Sequence, residues 1–345
     1  MKAIVWTKYG SPDGLHLQEV EKPTPNDNEI LVKIRATTVT AGDCEMRRLQ
    51  LPLMLSFPMR LYAGLIKPTR IPILGQELAG DVTAVGPNVT SFKIGDPVFG
   101  VTGFKFGAYA EYICLKANPN ETQGALALKP ANLSYEEAAA VPTAGFEALH
   151  FLRQAAVQPE QKVLVFGAGG SIGTFAVQLA HTFGAEVTAV DSAPKLAMLR
   201  ALGADHVIDY AQQDFTQNGE TYDVIIDVVG KKGFARRLKS LNPDGRYFLA
   251  NAGLSHLLRD WWTSKTSGKK VVIGSSSQSK EDLLFLKDLI EAGKIKPVID
   301  ERRFSLAQIP EAHRYAETGR KIGNIAITVG TDDGSRTRRF DSFGG

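Results

Sequence analysis

The sequence is poor in the residues that build disulfide frameworks and structural zinc sites. Its two cysteines, Cys44 and Cys114, lie far apart and form no CxxC motif, which argues against a disulfide scaffold or a zinc knuckle. The six histidines stand at positions 16, 150, 181, 206, 256 and 313. None of these spacings puts two ligands on one face of a helix, so we expect no metal site.

The chain also lacks a strong excess of one charge and a long apolar run. Its formal net charge is +3 over 345 residues, so the broad basic face that binds nucleic acid is not expected. The most apolar segment, 51–66, contains Pro52, Pro58 and Arg60 and falls short of the roughly 18 to 20 apolar residues of a membrane span. The N-terminus, MKAIVWTKYG, alternates like a first strand and is unlike a signal peptide, which predicts a cytoplasmic protein.

Two kinds of hydrophobic pattern divide the chain. Short alternating runs such as EILVKIRATTV recur over 29–115, which predicts an antiparallel β domain. After Pro130, Ser134 is a predicted helix N-cap with Glu137 three residues later, and continuous apolar runs then alternate with helical segments. This alternation indicates a parallel sheet covered on both faces. The predicted limits are a first domain over 1–127, a second domain over 128–277, a return to the first domain over 278–330 and a disordered tail over 331–345.

A glycine-rich loop follows the first buried strand of the second region, in VLVFGAGGSIGTFAVQLAHTFGAEVTAVD. Gly167 permits a tight turn, Gly170 lets the backbone approach a pyrophosphate, and Gly173 lets the next helix pack closely on the strand. The N-terminus of that helix then faces the phosphate charge. Because Asp191 ends the second strand of this βαβ unit, the pattern predicts a dinucleotide-binding site.

These residues leave the choice of dinucleotide open. Asp191 is placed to accept the ribose 2′-hydroxyl of NAD and would repel the 2′-phosphate of NADP. Ser192 and Lys195 open the next helix and Tyr210 ends the third strand, where a cation and two hydroxyls would surround a phosphate. In the alternative interpretation, Lys195 is a solvated helix residue and Tyr210 is an aromatic residue at the sheet edge.

Several further motifs point to one protein family, namely LGQELAGDVTAVGPNVTSFKIGDPVFG over 74–100, GAYAEY over 107–112, AAAVPTAGFEAL over 138–149, LGADHVIDY over 202–210 and GRKIGNIAITV over 319–329. With them, the chain resembles the medium-chain dehydrogenase/reductase superfamily, in its zinc-independent quinone oxidoreductase branch. The resemblance implies an α/β fold, with a Rossmann doubly wound parallel sheet domain and a mainly β GroES-like catalytic domain. It also implies hydride transfer from NAD(P)H to a quinone or an α,β-unsaturated carbonyl.

The positions that hold zinc in other members of this superfamily correspond to Thr40, Gln76 and Thr143. Hydroxyl and amide groups lack the thiolate or imidazole lone pair that zinc prefers, so the resemblance implies an enzyme without zinc. Thr40, Asp43, Gln76 and Thr143 are then implied as a polar floor that orients a carbonyl beneath the nicotinamide. Alternatively, Gln76 and Glu77 only satisfy buried backbone groups at a strand start, and Asp43 has a structural hydrogen-bonding role.

The resemblance favours NADPH over NADH, with NADH tolerated, because zinc-free relatives keep a lysine and a tyrosine at the positions of Lys195 and Tyr210. Three departures limit which of the family's site residues carry over to this chain. Thr40 replaces a common asparagine, Glu45 replaces the tyrosine that is the usual proton-donor candidate, and Asn324 replaces a common lysine, which weakens a charge contact to the coenzyme. The implied coenzyme contacts are Thr143, Gly167, Gly170, Ser171, Ile172, Gly173, Asp191, Ser192, Lys195, Tyr210, Val229, Gly230, Asn251 and Asn324.

Residues 49–70 look like an insertion relative to the family. We interpret this segment as a lid or wall of the substrate cleft, as packing, or, least favoured, as an apolar contact with a membrane together with 257–265. The expected substrate is a small apolar carbonyl or quinone, and the expected assembly is a homodimer. Two rival functions are a zinc-free alcohol or carbonyl dehydrogenase and a dinucleotide-binding sensor without turnover.

Overall fold

The structure is a computed structural model. It describes residues 1–49, 53–230, 233–250, 269–273 and 276–330. The predictions for Asn251, for the segment 257–265 and for the tail 331–345 fall outside the described residues.

The strands and helices alternate as the two hydrophobic patterns predict. The strands are β1 (Lys2–Trp6), β2 (Leu15–Glu19), β3 (Glu29–Val39), β4 (Glu77–Val85), β5 (Pro97–Val101), β6 (Tyr112–Lys116), β7 (Ala125–Leu128), β8 (Lys162–Phe166), β9 (Glu186–Asp191), β10 (His206–Asp209), β11 (Tyr222–Asp227), β12 (Leu241–Leu249), β13 (Lys270–Ile273), β14 (Phe304–Ser305) and β15 (Ile325–Thr328). The helices are α1 (Ala41–Arg48), α2 (Leu53–Ala63), α3 (Tyr135–Ala139), α4 (Pro142–Ala155), α5 (Ser171–Thr182), α6 (Ala193–Ala201), α7 (Phe234–Arg237), α8 (Lys280–Glu291) and α9 (Ile309–Glu317).

The first domain contains a seven-stranded sheet in the order β14-β15-β3-β4-β5-β7, with β6 also paired to β3. The pairs β15 with β3, β3 with β4, and β4 with β5 are antiparallel. The last strand therefore returns to the first domain, where Ile325 lies opposite Val39. Buried residues of this sheet and of the segments packed on it form one apolar core, which includes Ile30 of β3, Trp6 of β1 and Tyr109.

The second domain is a six-stranded sheet in the order β10-β9-β8-β11-β12-β13. All of its pairs are parallel, and helices from both sides cover buried runs such as Val163 to Val165. The order reverses next to β8, and this switch point is where doubly wound sheets bind ligands. The predicted α/β fold class, with a GroES-like and a Rossmann domain, is confirmed.

The predicted cap also agrees with the structure. The side chain of Ser134 accepts the N–H of Glu137 and the carboxylate of Glu137 accepts the N–H of Ser134, which is the capping box that starts α3.

The segment 49–70 has both buried and exposed apolar residues. Ala63 is buried in the first core and Met59 packs against it, whereas Phe57 and Ile66 are 59% and 90% exposed. The interpretations of this segment as a lid or wall and as packing both stay predictions. Within the described residues, no helix combines the length and apolarity needed to cross a membrane.

Candidate active site

The glycine loop after β8 has the geometry of a phosphate-binding turn. Gly167 has a φ of +82°, which an L side chain rarely adopts. A Cβ on Gly173 would lie 2.5 Å from the carbonyl oxygen of Gly167, whereas a Cβ on Gly170 would meet only that oxygen, at 3.5 Å. The N-cap of α5 is Gly170 and provides no side-chain hydrogen bond. The first N–H groups of α5 are therefore open to an anion, and these residues fit a dinucleotide.

Asp191 holds this loop in place. Its Oδ2 accepts the N–H of Gly169 at 2.7 Å, and its Oδ1 accepts the N–H of Ser192 at 2.8 Å. The ammonium of Lys195 lies 3.3 Å from Oδ1, and the Lys195 stem packs over Gly169. Tyr210 extends the neighbouring strand, where its N–H donates to the Asp191 carbonyl at 3.2 Å and its side chain is 57% exposed. The structure thus brings together the four residues predicted to choose the coenzyme.

Val229 and Gly230 form the turn after β11. Their N–H groups donate to Asp227 Oδ1 at 3.0 and 2.9 Å, and Val229 Cγ2 faces Gly167. Asp227 is fully buried and pairs with Arg237 at 2.8 Å. The turn therefore lies beside the glycine loop, held by a buried ion pair that the sequence analysis did not identify.

Thr40 and Asp43 form a helix cap in this structure. The Thr40 hydroxyl donates to Asp43 Oδ2 at 2.7 Å and accepts the Asp43 N–H at 3.0 Å, which closes a capping box at the start of α1. Burial raises the pKa of Asp43 to about 6, although its hydrogen bonds with Thr40 lower it. This geometry fits the structural interpretation of Asp43. The hydroxyl hydrogen of Thr40 is already donated to Asp43 and is not available to a substrate.

Gln76 and Glu77 have different surroundings. The amide oxygen of the half-buried Gln76 and the Thr40 hydroxyl both lie next to Gly42. In the described part of the chain, the Gln76 side chain makes no hydrogen bond to protein. Glu77 is 1% exposed; its carboxylate accepts the Thr143 N–H at 2.7 Å and the Thr38 hydroxyl. Burial raises the pKa of Glu77 to about 7. The bracing interpretation therefore fits Glu77, whereas the Gln76 amide is available to a ligand.

The Thr143 side chain sits at the first turn of α4. Its Oγ1 atom is buried and has no hydrogen bond of standard geometry among the described residues, although it lies close enough to the Glu77 carboxyl to lower the pKa of that group. Such an atom is costly unless a ligand satisfies it. Thr143 therefore joins Gln76 as a polar group available to a substrate or coenzyme.

A lysine that the sequence analysis missed lies at the phosphate loop. Lys321 Nζ donates to Ser171 Oγ at 2.7 Å and to the Gly323 carbonyl at 2.5 Å. By contrast, Asn324 is 4% exposed and its amide donates to the Val298 carbonyl at 3.1 Å. The lysine in GRKIGN was the available signal, but its contact with Ser171 spans 150 residues.

The positions that correspond to zinc ligands do not fit a metal ion. Thr40 is committed to the α1 cap, and the Gln76 amide and Thr143 hydroxyl supply no thiolate or imidazole. Among the residues that the structure describes, no group of three or more His, Cys, Asp or Glu side chains is arranged to hold a metal.

Comparisons with known proteins agree with this geometry. Residues 26–120 match the family model of the alcohol dehydrogenase GroES-like domain, and residues 202–327 match that of a zinc-binding dehydrogenase. The chain is 34% identical to a 2-methylene-furan-3-one reductase of Solanum lycopersicum, over 95% of this chain and 79% of the relative. The chain belongs to the medium-chain dehydrogenase/reductase superfamily. Within it, the chain lies in the quinone oxidoreductase-like branch and is an oxidoreductase.

Two further relatives of this superfamily are similar over nearly the whole chain. The NADPH-dependent alkenal/one oxidoreductase of Arabidopsis thaliana chloroplasts is 29% identical, over 95% of this chain and 79% of the relative. The solved structure of a quinone oxidoreductase from Coxiella burnetii has a TM-score of 0.83 and 29% identity, covering 96% of this chain and 99% of that one. The predicted family is confirmed.

Proposed function

We propose that the protein is a zinc-independent reductase that uses NADPH, and tolerates NADH, to reduce small apolar enones or quinones. One observation carries this proposal: an open glycine loop and helix N-terminus lie beside the group of Asp191, Lys195 and Tyr210. The names of the relatives, an enone-type reductase, an alkenal/one oxidoreductase and a quinone oxidoreductase, support the substrate class.

The contacts that Asp191 makes within the protein support the use of NADPH. One carboxylate oxygen is bonded to Gly169 and the other faces Lys195, so the carboxylate is largely neutralised and repels a 2′-phosphate less strongly. Lys195 and the exposed Tyr210 hydroxyl then provide a charge-assisted and a neutral donor. The Arabidopsis relative is named as NADPH-dependent. NADH remains acceptable because the Asp191 carboxylate is still close to the ribose site.

In the reaction, the protein holds the substrate and polarises its carbonyl group. When bound, the reduced coenzyme supplies the hydride. The Gln76 amide and the Thr143 hydroxyl are neutral donors that orient the substrate carbonyl and stabilise its developing negative charge. Thr40 and Asp43 hold the start of α1 in place beside Gln76. Solvent supplies the final proton.

Two other sequence predictions are part of the proposal. A homodimer would form through the edge of the Rossmann sheet, because β13 pairs only with β12 in the described part of the chain. The domain limits 1–127, 128–277 and 278–330 and the cytoplasmic location remain predictions from the sequence.

A steady-state screen tests the proposed function. Oxidation of NADPH and NADH is followed with small enones, quinones and aldehydes, and oxidation of matching alcohols is measured in the reverse direction. We expect turnover with enones or quinones, faster with NADPH, and no comparable alcohol oxidation. Reversible alcohol oxidation as the main activity would instead indicate an alcohol dehydrogenase, and coenzyme binding without turnover would indicate a sensor.

A further inference from the structure

The chain segment before β15 crosses the phosphate loop. The N–H of Gly323 donates to the Gly169 carbonyl at 2.9 Å, and Gly323 forms a parallel bridge with Gly170. This contact carries the ammonium group of Lys321 to Ser171, the first residue of α5. A cation from the first domain is thereby fixed at the mouth of the second domain's phosphate site.

The partners of Lys321 are all neutral. Its ammonium donates to a hydroxyl and a carbonyl, and within the described ranges it forms no ion pair. The charged and titratable groups close enough to affect its charge include Lys195, Asp300, Cys44 and Glu77. Of these, the Asp300 carboxylate already accepts the Ile322 N–H at 2.7 Å, the Tyr315 hydroxyl at 3.0 Å and the Arg302 N–H at 2.9 Å.

The surroundings of Lys321 therefore disfavour its charge when no ligand is bound. Burial, followed by the charge of Lys195, lowers the pKa of Lys321 to about 8. A cation that is partly desolvated, has no acidic partner and lies at an open helix N-terminus would gain much from a bound anion.

We propose that Lys321 is a coenzyme-binding residue whose ammonium group pairs with the pyrophosphate of the nicotinamide coenzyme at the N-terminus of α5. This inference rests on the proposed function of the site and adds a residue from the other domain. Because NADH and NADPH share the pyrophosphate, Lys321 acts on both coenzymes, whereas Lys195 acts on the 2′-phosphate alone. The contact also couples coenzyme binding to the position of the first domain.

Coenzyme titrations of the protein without substrate test this assignment. The variants are Lys321→Met and Lys321→Arg, with Arg320→Met as a control that removes an exposed charge one residue away. Binding of NADPH and of NADH is followed by coenzyme fluorescence. We expect Lys321→Met to raise Kd at least tenfold and equally for both coenzymes, Lys321→Arg to retain most of the affinity, and Arg320→Met to change Kd less than twofold.

The pH dependence of NADH binding is a second measurement, and a purely structural role of Lys321 would not affect it. Kd for NADH should rise as the pH rises from 7 to 9.5, because Lys321 loses its proton in the free protein. This rise should vanish in Lys321→Arg, which stays charged, and in Lys321→Met. The melting temperature without coenzyme should change by no more than a few degrees in Lys321→Met, because the two hydrogen bonds that are lost go to neutral groups and a buried charge is removed with them.

Three outcomes would overturn the inference. Wild-type affinity for both coenzymes in Lys321→Met would show that Lys321 makes no contact, and a loss confined to NADPH would move the contact to the 2′-phosphate. Failure of the wild-type protein to bind either coenzyme would instead overturn the proposed function, and the inference with it.

Discussion

The N–H of Thr143 donates to the carboxylate of Glu77 across 2.7 Å, joining the first residue of β4 to the first turn of α4. Thr38 donates to the other carboxylate oxygen. Glu77 of LGQELAG is therefore buried and links the start of β4 to the start of α4. The amide of Gln76 beside it stays available to a ligand. The polar pair in this motif divides into a structural residue, Glu77, and a candidate substrate contact, Gln76.

Replacing Glu77 by Gln should change how stability depends on pH. The pKa of Glu77 is about 7 in the folded protein, above its unfolded value, so the folded state binds more protons between about pH 4.5 and 7. The contribution of Glu77 is therefore most favourable at low pH and falls as pH rises, by up to about 3 kcal/mol. Urea unfolding at pH 5 and pH 7.5 should show a smaller loss over this interval in Glu77→Gln than in the wild type. If the unfolding free energy depended on pH identically in both proteins, Glu77 would not take up a proton on folding, and the prediction would be contradicted.

Replacing Gly170 by Ala should weaken coenzyme binding without unfolding the loop. Gly170 has φ −86° and ψ −179°, which alanine adopts, so the unfolding free energy should change by less than about 1 kcal/mol. The new methyl group would stand where the pyrophosphate approaches, and Kd should rise at least tenfold. Gly173→Ala is the contrasting variant, because its Cβ would overlap the Gly167 carbonyl and destabilise the loop itself. Unchanged coenzyme affinity in Gly170→Ala would place the phosphate elsewhere.

Replacing Lys195 by Ala should separate the two coenzymes. The loss of a charge-assisted hydrogen bond to the 2′-phosphate corresponds to about 1.5 to 3 kcal/mol, or roughly tenfold or more in KM for NADPH. NADH should be affected much less. Lys287→Ala is the matched control, since Lys287 is a helix residue that, like Lys195, pairs with an acid four residues away, here at 2.6 Å. An equal effect on both coenzymes would assign coenzyme choice to Asp191.

Replacing Gln76 by Leu should slow catalysis while leaving the fold intact. The Gln76 side chain makes no hydrogen bond to another described residue, so its loss should leave the melting temperature within a few degrees of the wild type. Loss of one donor to the developing oxyanion costs about 100-fold in kcat. The comparison variant is Thr40→Val, which should instead lower stability by about 1 to 2 kcal/mol because it breaks the α1 cap. A Gln76→Leu enzyme with wild-type kcat would remove Gln76 from the reaction.

The fold was predictable because its signals are local. Buried parallel strands such as KVLVF have continuous apolar sequences, the glycine spacing identifies the βαβ turn, and the residues Ser134 and Glu137 form the capping box that their spacing indicates.

The site was only partly predictable because its contacts are distant in sequence. The pairing of Asp191 with Gly169 spans 22 residues, and that of Lys321 with Ser171 spans 150. Thr40 and Asp43 were identified as polar residues near the site, but only the structure shows that they bond to each other as a cap. The sequence shows which polar groups are present, but only the fold shows which of them are already hydrogen-bonded within the protein.

Transfer of deuterium from labelled NADPH is the measurement that tests the central claim most directly. Chelator-treated protein, checked for zinc by elemental analysis, is given a small enone with NADPH deuterated at either face of nicotinamide C4, and the product is analysed by NMR and mass spectrometry. The account predicts that one of the two labels appears as a single deuterium on the β-carbon of the reduced enone, at a rate that chelation does not change. A product without deuterium, or activity that is lost on chelation and restored by zinc, would contradict it.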